Sequence, residues 1–178
     1  MRLCERCHEV QKTCCEGDPW IILTLRDVER IAAHTGRSDF VVNKHYPDLS
    51  FMQRFAYDPN WQKYTVRPGN MRRQVRATEQ GACHFLGAAG CELPTSVRPL
   101  VCRLFPYNYN EYGIIGIYSG ADLMCPVHLL EDGISLARDL GVGMIEQVDA
   151  WRTTLYRELR AEWRNSRNAV RKRSAIRG

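Results

Sequence analysis

The sequence lacks any long apolar run. No stretch approaches the roughly 20 apolar residues that a membrane-spanning helix requires, so we expect no membrane span. The sequence also has no apolar signal-peptide core near its start, where Cys4, Glu5 and Cys7 stand instead. Because a reducing cytosol keeps thiols free, these absences predict a cytoplasmic protein whose cysteines are not joined as disulfides.

Several enzyme motifs are missing as well. The sequence contains no Gly-x-Gly-x-x-Gly, no P-loop and no His-Glu-x-x-His. The Cys-x3-Cys-x2-Cys loop expected of radical S-adenosylmethionine enzymes is absent too. The sequence therefore leaves open whether the chain is an enzyme.

The net charge of +5 belongs to the end of the chain. Residues 1–141 hold equal numbers of basic and acidic side chains, whereas residues 142–178 hold nine Lys or Arg against four Asp or Glu. We predict a cysteine-cluster metal-binding domain over 1–141 and a C-terminal helix with a basic tail over 142–178. Apolar residues at steps of three and four, from Ile145 to Trp163, predict an amphipathic helix that docks on the core and frays after Asn165.

The polar face of this helix is basic, with Arg152, Arg157, Arg160 and Arg164 leading into further arginines. Such a stripe could bind nucleic-acid phosphates by counterion release. A solvated basic helix is the simpler interpretation and the one we favour. A nucleic-acid partner is thus an alternative that we do not favour, and the expected partner is an unidentified protein or small molecule.

The pattern of the remaining elements predicts an α+β fold: a small, cysteine-rich, metal-stapled domain with few strands and a C-terminal amphipathic helix. Thr24 and Asp27 have the spacing of a capping box, which predicts a helix ending near Gly36. A second short helix is expected from Ser38 to Lys44, and residues 46–69, with three prolines, are expected to form a packed loop. The expected strands are Trp20–Leu23, a half-exposed strand at Met71–Arg76, and Tyr112–Tyr118.

Eight cysteines form the main chemical feature of the sequence. They are Cys4, Cys7, Cys14, Cys15, Cys83, Cys91, Cys102 and Cys125. A Cys-x2-Cys pair places two sulfurs where a single metal can reach both, and sulfur-rich sites select zinc, copper(I) or iron–sulfur clusters. We expect an iron–sulfur cluster or zinc. Successive side chains of an extended backbone point to opposite faces, so Cys14 and Cys15 leave three arrangements open: a multinuclear cluster, two sites, or one site with spare thiols.

Charged neighbours of the cysteines complete the candidate site. Thiolates around a metal leave excess negative charge, and Arg98 and Arg103 flank Cys102 in the sequence. We predict that these two arginines offset that charge beside the cofactor. His8, His84 and His128 also stand near cysteines and could replace a thiolate, although eight thiols make a supporting or surface role the simpler interpretation.

Two segments resemble the YkgJ-type cysteine-cluster family of zinc- or iron-chelating, often iron–sulfur-cluster-containing, bacterial proteins. The segments are Cys83-His84-Phe85-Leu86 with Gly90-Cys91, and Arg98-Pro99-Leu100-Val101-Cys102-Arg103-Leu104-Phe105-Pro106. The N-terminal cysteines and Cys125-Pro126 extend the resemblance over roughly residues 4–126, although six residues separate Cys7 from Cys14 where family members commonly have two or three.

The resemblance implies that all eight cysteines bind metal. It implies little about activity, although the related flagellin lysine N-methylases suggest that the scaffold can support an enzyme. We therefore predict a metal-binding protein of redox, sensing or metal-handling type, with a metal-dependent modifying enzyme as the alternative.

Overall fold

The computed structural model describes residues 15–17, 19–46, 58, 60–117 and 145–176, with side chains of the last helix described through residue 169. These residues form helices and small antiparallel strand pairs, a mixed α+β arrangement. The helices are α1 (Leu25–Thr35), α2 (Trp61–Thr65), α3 (Leu100–Leu104) and α4 (Ile145–Ile176). The strands are β1 (Val41–His45), β2 (Met71–Val75), β3 (Leu86–Gly87), β4 (Gly90–Cys91), β5 (Tyr107–Tyr109) and β6 (Ile114–Ile117).

Helix α1 begins and ends as the sequence predicts. The Thr24 hydroxyl accepts a hydrogen bond from the Asp27 N–H at 2.9 Å, and the Asp27 carboxylate accepts one from the Thr24 N–H at 3.0 Å. This reciprocal pair confirms the capping box. At the other end Gly36 adopts a left-handed φ of 68° and its N–H donates to the Ala32 carbonyl. A residue with a Cβ would be strained in that conformation, which is why glycine ends the helix.

The helix expected from Ser38 to Lys44 is wrong. Residues 41–45 form β1, which pairs antiparallel with β2 so that Val41 lies opposite Val75 and His45 opposite Met71. The β-branched Val41 and Val42 favour a strand. An isolated helix of that length is also unstable. Pairing with β2 instead gives the backbone N–H and C=O groups of this segment hydrogen-bond partners.

Strand β2 is buried on both faces, so the half-exposed strand predicted there is also wrong. Arg72, Arg73 and Gln74 are 1%, 5% and 1% exposed. Arg72 lies against the Tyr46 ring and Arg73 pairs with Glu162 of α4, so other parts of the chain cover these side chains. Strand β2 also has neighbours on both edges, with β1 on one side and Ile22 paired to Gln74 on the other. The strand expected at Trp20–Leu23 is reduced to this isolated bridge.

Two groups of buried residues form the core, and α3 lies between them. The group that we call the helix core consists of Ile22, Trp61, Leu100, Leu104, Tyr107, Val148, Leu155, Tyr156 and Leu159. The group that we call the thiol core consists of Ile21, Leu23, Ile31, Phe40, Val75, Cys83, Phe85 and Leu93. Val101 packs against both, so α3 joins the two groups.

Helix α4 docks on the helix core as predicted, through Val148, Leu155 and Leu159. Its 32 residues span about 48 Å. The predicted fraying after Asn165 is wrong, because the helix continues to Ile176. The sequence from Trp163 to Ile176 contains neither glycine nor proline, and basic residues near a helix C-terminus interact favourably with the helix dipole.

Two smaller predictions are corrected in part. The loop expected over residues 46–69 contains α2, and the strand expected at Tyr112–Tyr118 is found as β6, which pairs with β5 through a register shift at Asn108 and Tyr109. Among the helices described, none is long and apolar enough to cross a membrane.

Candidate metal centre

Four cysteines lie close together in and against the thiol core. Cys83 is a buried member of that core, and Cys15, Cys91 and Cys102 pack against it. Cys83, Cys91 and Cys102 are free thiols. The Cys83 N–H donates to the Cys15 carbonyl at 2.6 Å, which connects the first described residues to the segment that carries Cys83. Cys15 from the start of the chain therefore lies at the same core as Cys83, Cys91 and Cys102. The other four cysteines lie outside the described residues: Cys4, Cys7, Cys14 and Cys125.

Short turns and one helix position these four residues. Cys83 pairs with Ala77 in an isolated bridge, and Cys91 lies opposite Leu86 in the β3–β4 hairpin. Gly90, at a φ of 93°, supplies the left-handed conformation that the tight hairpin turn requires. Cys102 comes from α3. Each sulfur is thus carried by a different local structure.

Backbone amides donate hydrogen bonds to two of the sulfurs in the same pattern. The Phe85 N–H donates to the Cys83 sulfur, and the Leu93 N–H donates to the Cys91 sulfur, in each case from two residues further along the chain. Donors of this kind stabilise the thiolate form. In iron–sulfur proteins, hydrogen bonds to the sulfurs are one of the factors that set the reduction potential.

Arg98 contacts the thiol group directly, although at a different cysteine from the one that its sequence position suggested. Its side chain donates to the Cys91 sulfur, and its Nε donates to the Leu93 carbonyl at 2.9 Å. Arg103 donates to the carbonyls of Arg98 at 2.8 Å and Ser96 at 2.5 Å. Arg103 therefore fixes the loop that carries Arg98. Burial lowers the pKa of Arg103, and the charge of Cys102 is one of those that oppose this shift.

Burial favours the protonated form of three of these cysteines. Desolvation raises the pKa of Cys83 to about 12 and the pKa of Cys102 well above its ordinary value. Burial also raises the pKa of Cys91, although the Arg98 charge opposes that rise. The charges of the neighbouring thiolates raise the pKa of each of the three further. A bound cation would reverse this effect, because metal binding deprotonates thiols.

The donor chemistry fits a soft metal, but the side chains are not arranged as a ligand shell. Within residues 15–17, 19–46, 58, 60–117 and 145–176, no three His, Cys, Asp or Glu side chains form a group that could hold a metal ion. Four thiols are nevertheless the donor set that zinc and iron–sulfur clusters prefer. Binding would require the thiol side chains to turn toward a common centre.

Asp27 holds α3 in place beside the thiols, a role that sequence reasoning missed. Its buried carboxylate accepts the Leu100 N–H at 3.1 Å at the start of α3, two residues before Cys102, and also pairs with Arg30. Burial raises the pKa of Asp27. The capping box identifies Asp27 as a helix-start residue, but nothing local in the sequence indicates its second partner, 73 residues away.

The histidines contribute no described ligand. The His84 Nε2 lies 2.5 Å from an Arg37 nitrogen and 3.7 Å from the Asp39 carboxylate. Burial, reinforced by the Arg37 charge, lowers the pKa of His84. His84 therefore belongs to a polar surface group, and His8 and His128 lie outside the described residues.

The predicted basic face of α4 is partly used inside the protein. Arg152 is buried and donates to the Asp149 carboxylate at 2.7 Å and the Glu111 carbonyl at 2.5 Å. Arg160 forms an ion pair with the Glu111 carboxylate. The placement of Arg152 and Arg160 on a free basic face is therefore wrong. Of the four arginines predicted for that face, Arg157 and Arg164 are exposed.

Comparison with known proteins gives no further guide. No protein-family model matches the chain, and neither the curated proteins nor the solved structures contain a match to it. The resemblance to the cysteine-cluster family rests on the motif residues alone.

Proposed function

We propose that this protein binds a soft metal, as an iron–sulfur cluster or zinc, through a centre that includes Cys15, Cys83, Cys91 and Cys102. The proposal rests on one observation above the others: thiols from separate segments gather at one buried core. The reactivity of a cysteine, rather than its packing, usually explains why it is kept, so packing alone is a poor explanation for this gathering.

The surroundings of the thiols support the same proposal. Two backbone amides and the Arg98 guanidinium donate to sulfur atoms, and such groups tune metal–thiolate centres by orienting ligands and offsetting charge. When bound, an iron–sulfur cluster would supply electron transfer, whereas zinc would supply a structural cross-link. The centre would thereby staple the hairpin, α3 and the first described turn, and the free thiols of Cys83, Cys91 and Cys102 suit a reducing compartment such as the cytoplasm.

Anaerobic purification followed by analysis for iron, zinc and acid-labile sulfide tests the proposal. We expect either stoichiometric zinc in a colourless protein, or iron with sulfide and visible charge-transfer absorption. A folded, anaerobically purified protein that contains neither metal, and that takes up neither zinc nor a reconstituted cluster, would contradict the proposal.

Substitution at Cys102 ties the metal to this centre. Cys102→Ser should lose most of the bound metal, because it removes a thiolate donor while it preserves the size of the side chain. Val101→Ala is the matched control, since it shortens the adjacent α3 side chain, which packs against both cores, and leaves every sulfur in place. If both variants fold and retain the same metal content, the described thiols do not form the site.

A further inference from the structure

Two adjacent arginines of β2 are buried in different ways. Arg73 has a carboxylate partner, because its guanidinium pairs with Glu162 at 2.7 Å, and it also donates to the Leu23 carbonyl at 3.2 Å. Arg72 is the more deeply buried of the two, at 1% exposed. In the part of the chain that the structure describes, no carboxylate pairs with Arg72, and its neighbours are Thr65 and Tyr46.

The Arg72 guanidinium is held in place but not saturated with hydrogen bonds. Its Cζ lies 3.9 Å from the centre of the Tyr46 ring, one terminal nitrogen donates to the Thr65 hydroxyl at 3.0 Å, and the guanidinium also hydrogen-bonds the Tyr46 side chain. Its Nε is buried without a hydrogen-bond partner. Gln74 is equally buried, and its amide nitrogen also has no partner. Residues two apart on a strand lie on the same face, so both unpaired donors lie on one side of β2.

A buried cation with unsatisfied donors is energetically costly, and proteins usually offset it with an anion. Burial lowers the pKa of Arg72 to about 10, so the side chain stays charged at neutral pH. The site thus offers one positive charge and an amide donor in a dehydrated setting, where a charge-assisted hydrogen bond is strong. A single cation balances a monoanion, and the planar guanidinium matches the geometry of a carboxylate.

We propose that Arg72 and Gln74 bind the carboxylate of a small organic acid against the ring of Tyr46. This site is separate from the proposed metal centre and does not depend on it. The guanidinium is covered, so the ligand enters through local opening of the chain and association is slow. Titrations therefore have to be measured after equilibration.

Side-chain NMR and thermal unfolding test the proposal with acetate as the probe. The Nε–H signal that disappears in Arg72→Lys should shift saturably as acetate is added to the wild-type protein at constant ionic strength, while sodium chloride alone leaves it unchanged. The melting temperature should rise over the same concentrations. The rise should be lost in Arg72→Met, be weakened several-fold in Gln74→Met, and persist in Arg37→Gln, which changes an exposed arginine.

The variants also show whether Arg72 is paired within the chain. Without acetate, Arg72→Met should raise the melting temperature, because it removes an uncompensated buried charge. Arg73→Met should lower it, because Glu162 would lose a buried partner. The proposal is overturned if acetate produces no saturable response in the wild-type protein, if inorganic phosphate binds more tightly than acetate, or if Arg72→Met is destabilised as much as Arg73→Met. The wild-type titration decides the question if a variant fails to fold.

Discussion

The helix core and the thiol core share α3 but differ in the interactions that stabilise them. In the helix core, Leu100 and Leu104 pack against α4, and the Trp61, Tyr109 and Tyr156 rings meet edge to face at centroid separations of 6.1–6.4 Å. Aromatic rings in this geometry bury a large apolar area and add a favourable contact of their own. The helix core is therefore stabilised by packing.

The thiol core has less regular structure around it. Strands β3 and β4 contain two residues each, and an isolated hairpin of that size is at best marginally stable in water. Four of the residues in or against this core are cysteines, whose side chains are small. The comparison indicates that one half of the core is complete through packing, whereas the other half would gain stability from a bound metal.

Truncation of one residue in each core, in metal-free protein, tests this difference and has the largest expected effect. Leu155→Ala should lower the free energy of unfolding by about 2–5 kcal/mol, because Leu155 is fully buried and its loss leaves a cavity. Cys102→Ala removes a single buried sulfur and should cost only about 1 kcal/mol. Urea unfolding of both variants in the presence of a chelator gives the comparison.

The control for the leucine truncation is Leu25→Ala. The Leu25 side chain is 50% exposed, so its loss should change the free energy of unfolding by no more than about 0.5 kcal/mol. If Cys102→Ala destabilises the metal-free protein as much as Leu155→Ala does, the thiol core is an ordinary packed core and the distinction between the two halves fails.

Asp27 is expected to have the next largest effect, because it connects the start of α1 to the start of α3. In Asp27→Asn, the amide group cannot accept hydrogen bonds at both positions, so the Thr24 or the Leu100 N–H loses its buried acceptor. We expect a loss of about 1–3 kcal/mol, measured by urea unfolding. Glu29→Gln on the exposed face of α1 is the matched control and should be nearly neutral. An equally small effect at Asp27 would show that the connection contributes nothing.

Local signals in the sequence predicted part of this architecture. The capping box, the glycine at the end of α1 and the apolar periodicity of α4 each depend on residues within a few positions of one another, and each is confirmed. The cysteine motifs drew attention to the residues that gather at the thiol core. In these cases the information that determines the structure lies within a single segment.

The predictions that failed depended on distant partners. Residues 41–45 form a strand because β2, about 30 residues away, pairs with them. Arg72 and Arg73 look like surface residues in the sequence, and they are buried by distant residues, Arg72 against Tyr46 and Arg73 against Glu162. Arg160 likewise meets Glu111 only in the folded chain. Long-range pairing of this kind leaves no periodic trace in the segment itself.

Glu162 connects α4 to the start of α1 and to β2. Its carboxylate accepts the Leu25 N–H at the start of α1 and pairs with Arg67 and Arg73, both at 2.7 Å. Burial nevertheless raises the pKa of Glu162 above its ordinary value, and the Leu25 N–H and Arg67 only partly oppose that rise. The folded protein therefore holds this proton more tightly than the unfolded chain does.

The pH dependence of Glu162→Gln is the smallest effect that we expect. A group whose pKa is raised on folding contributes stability at low pH, and that contribution is lost as the pH rises through the raised pKa. The stability advantage of the wild-type protein over Glu162→Gln should thus be greater at pH 4.5 than at pH 7, as measured by urea unfolding. Glu29→Gln shows how much of this trend an exposed carboxylate produces. An advantage that grows with pH would mean that the ion pairs with Arg67 and Arg73 outweigh burial, and that the two halves are joined by charge attraction.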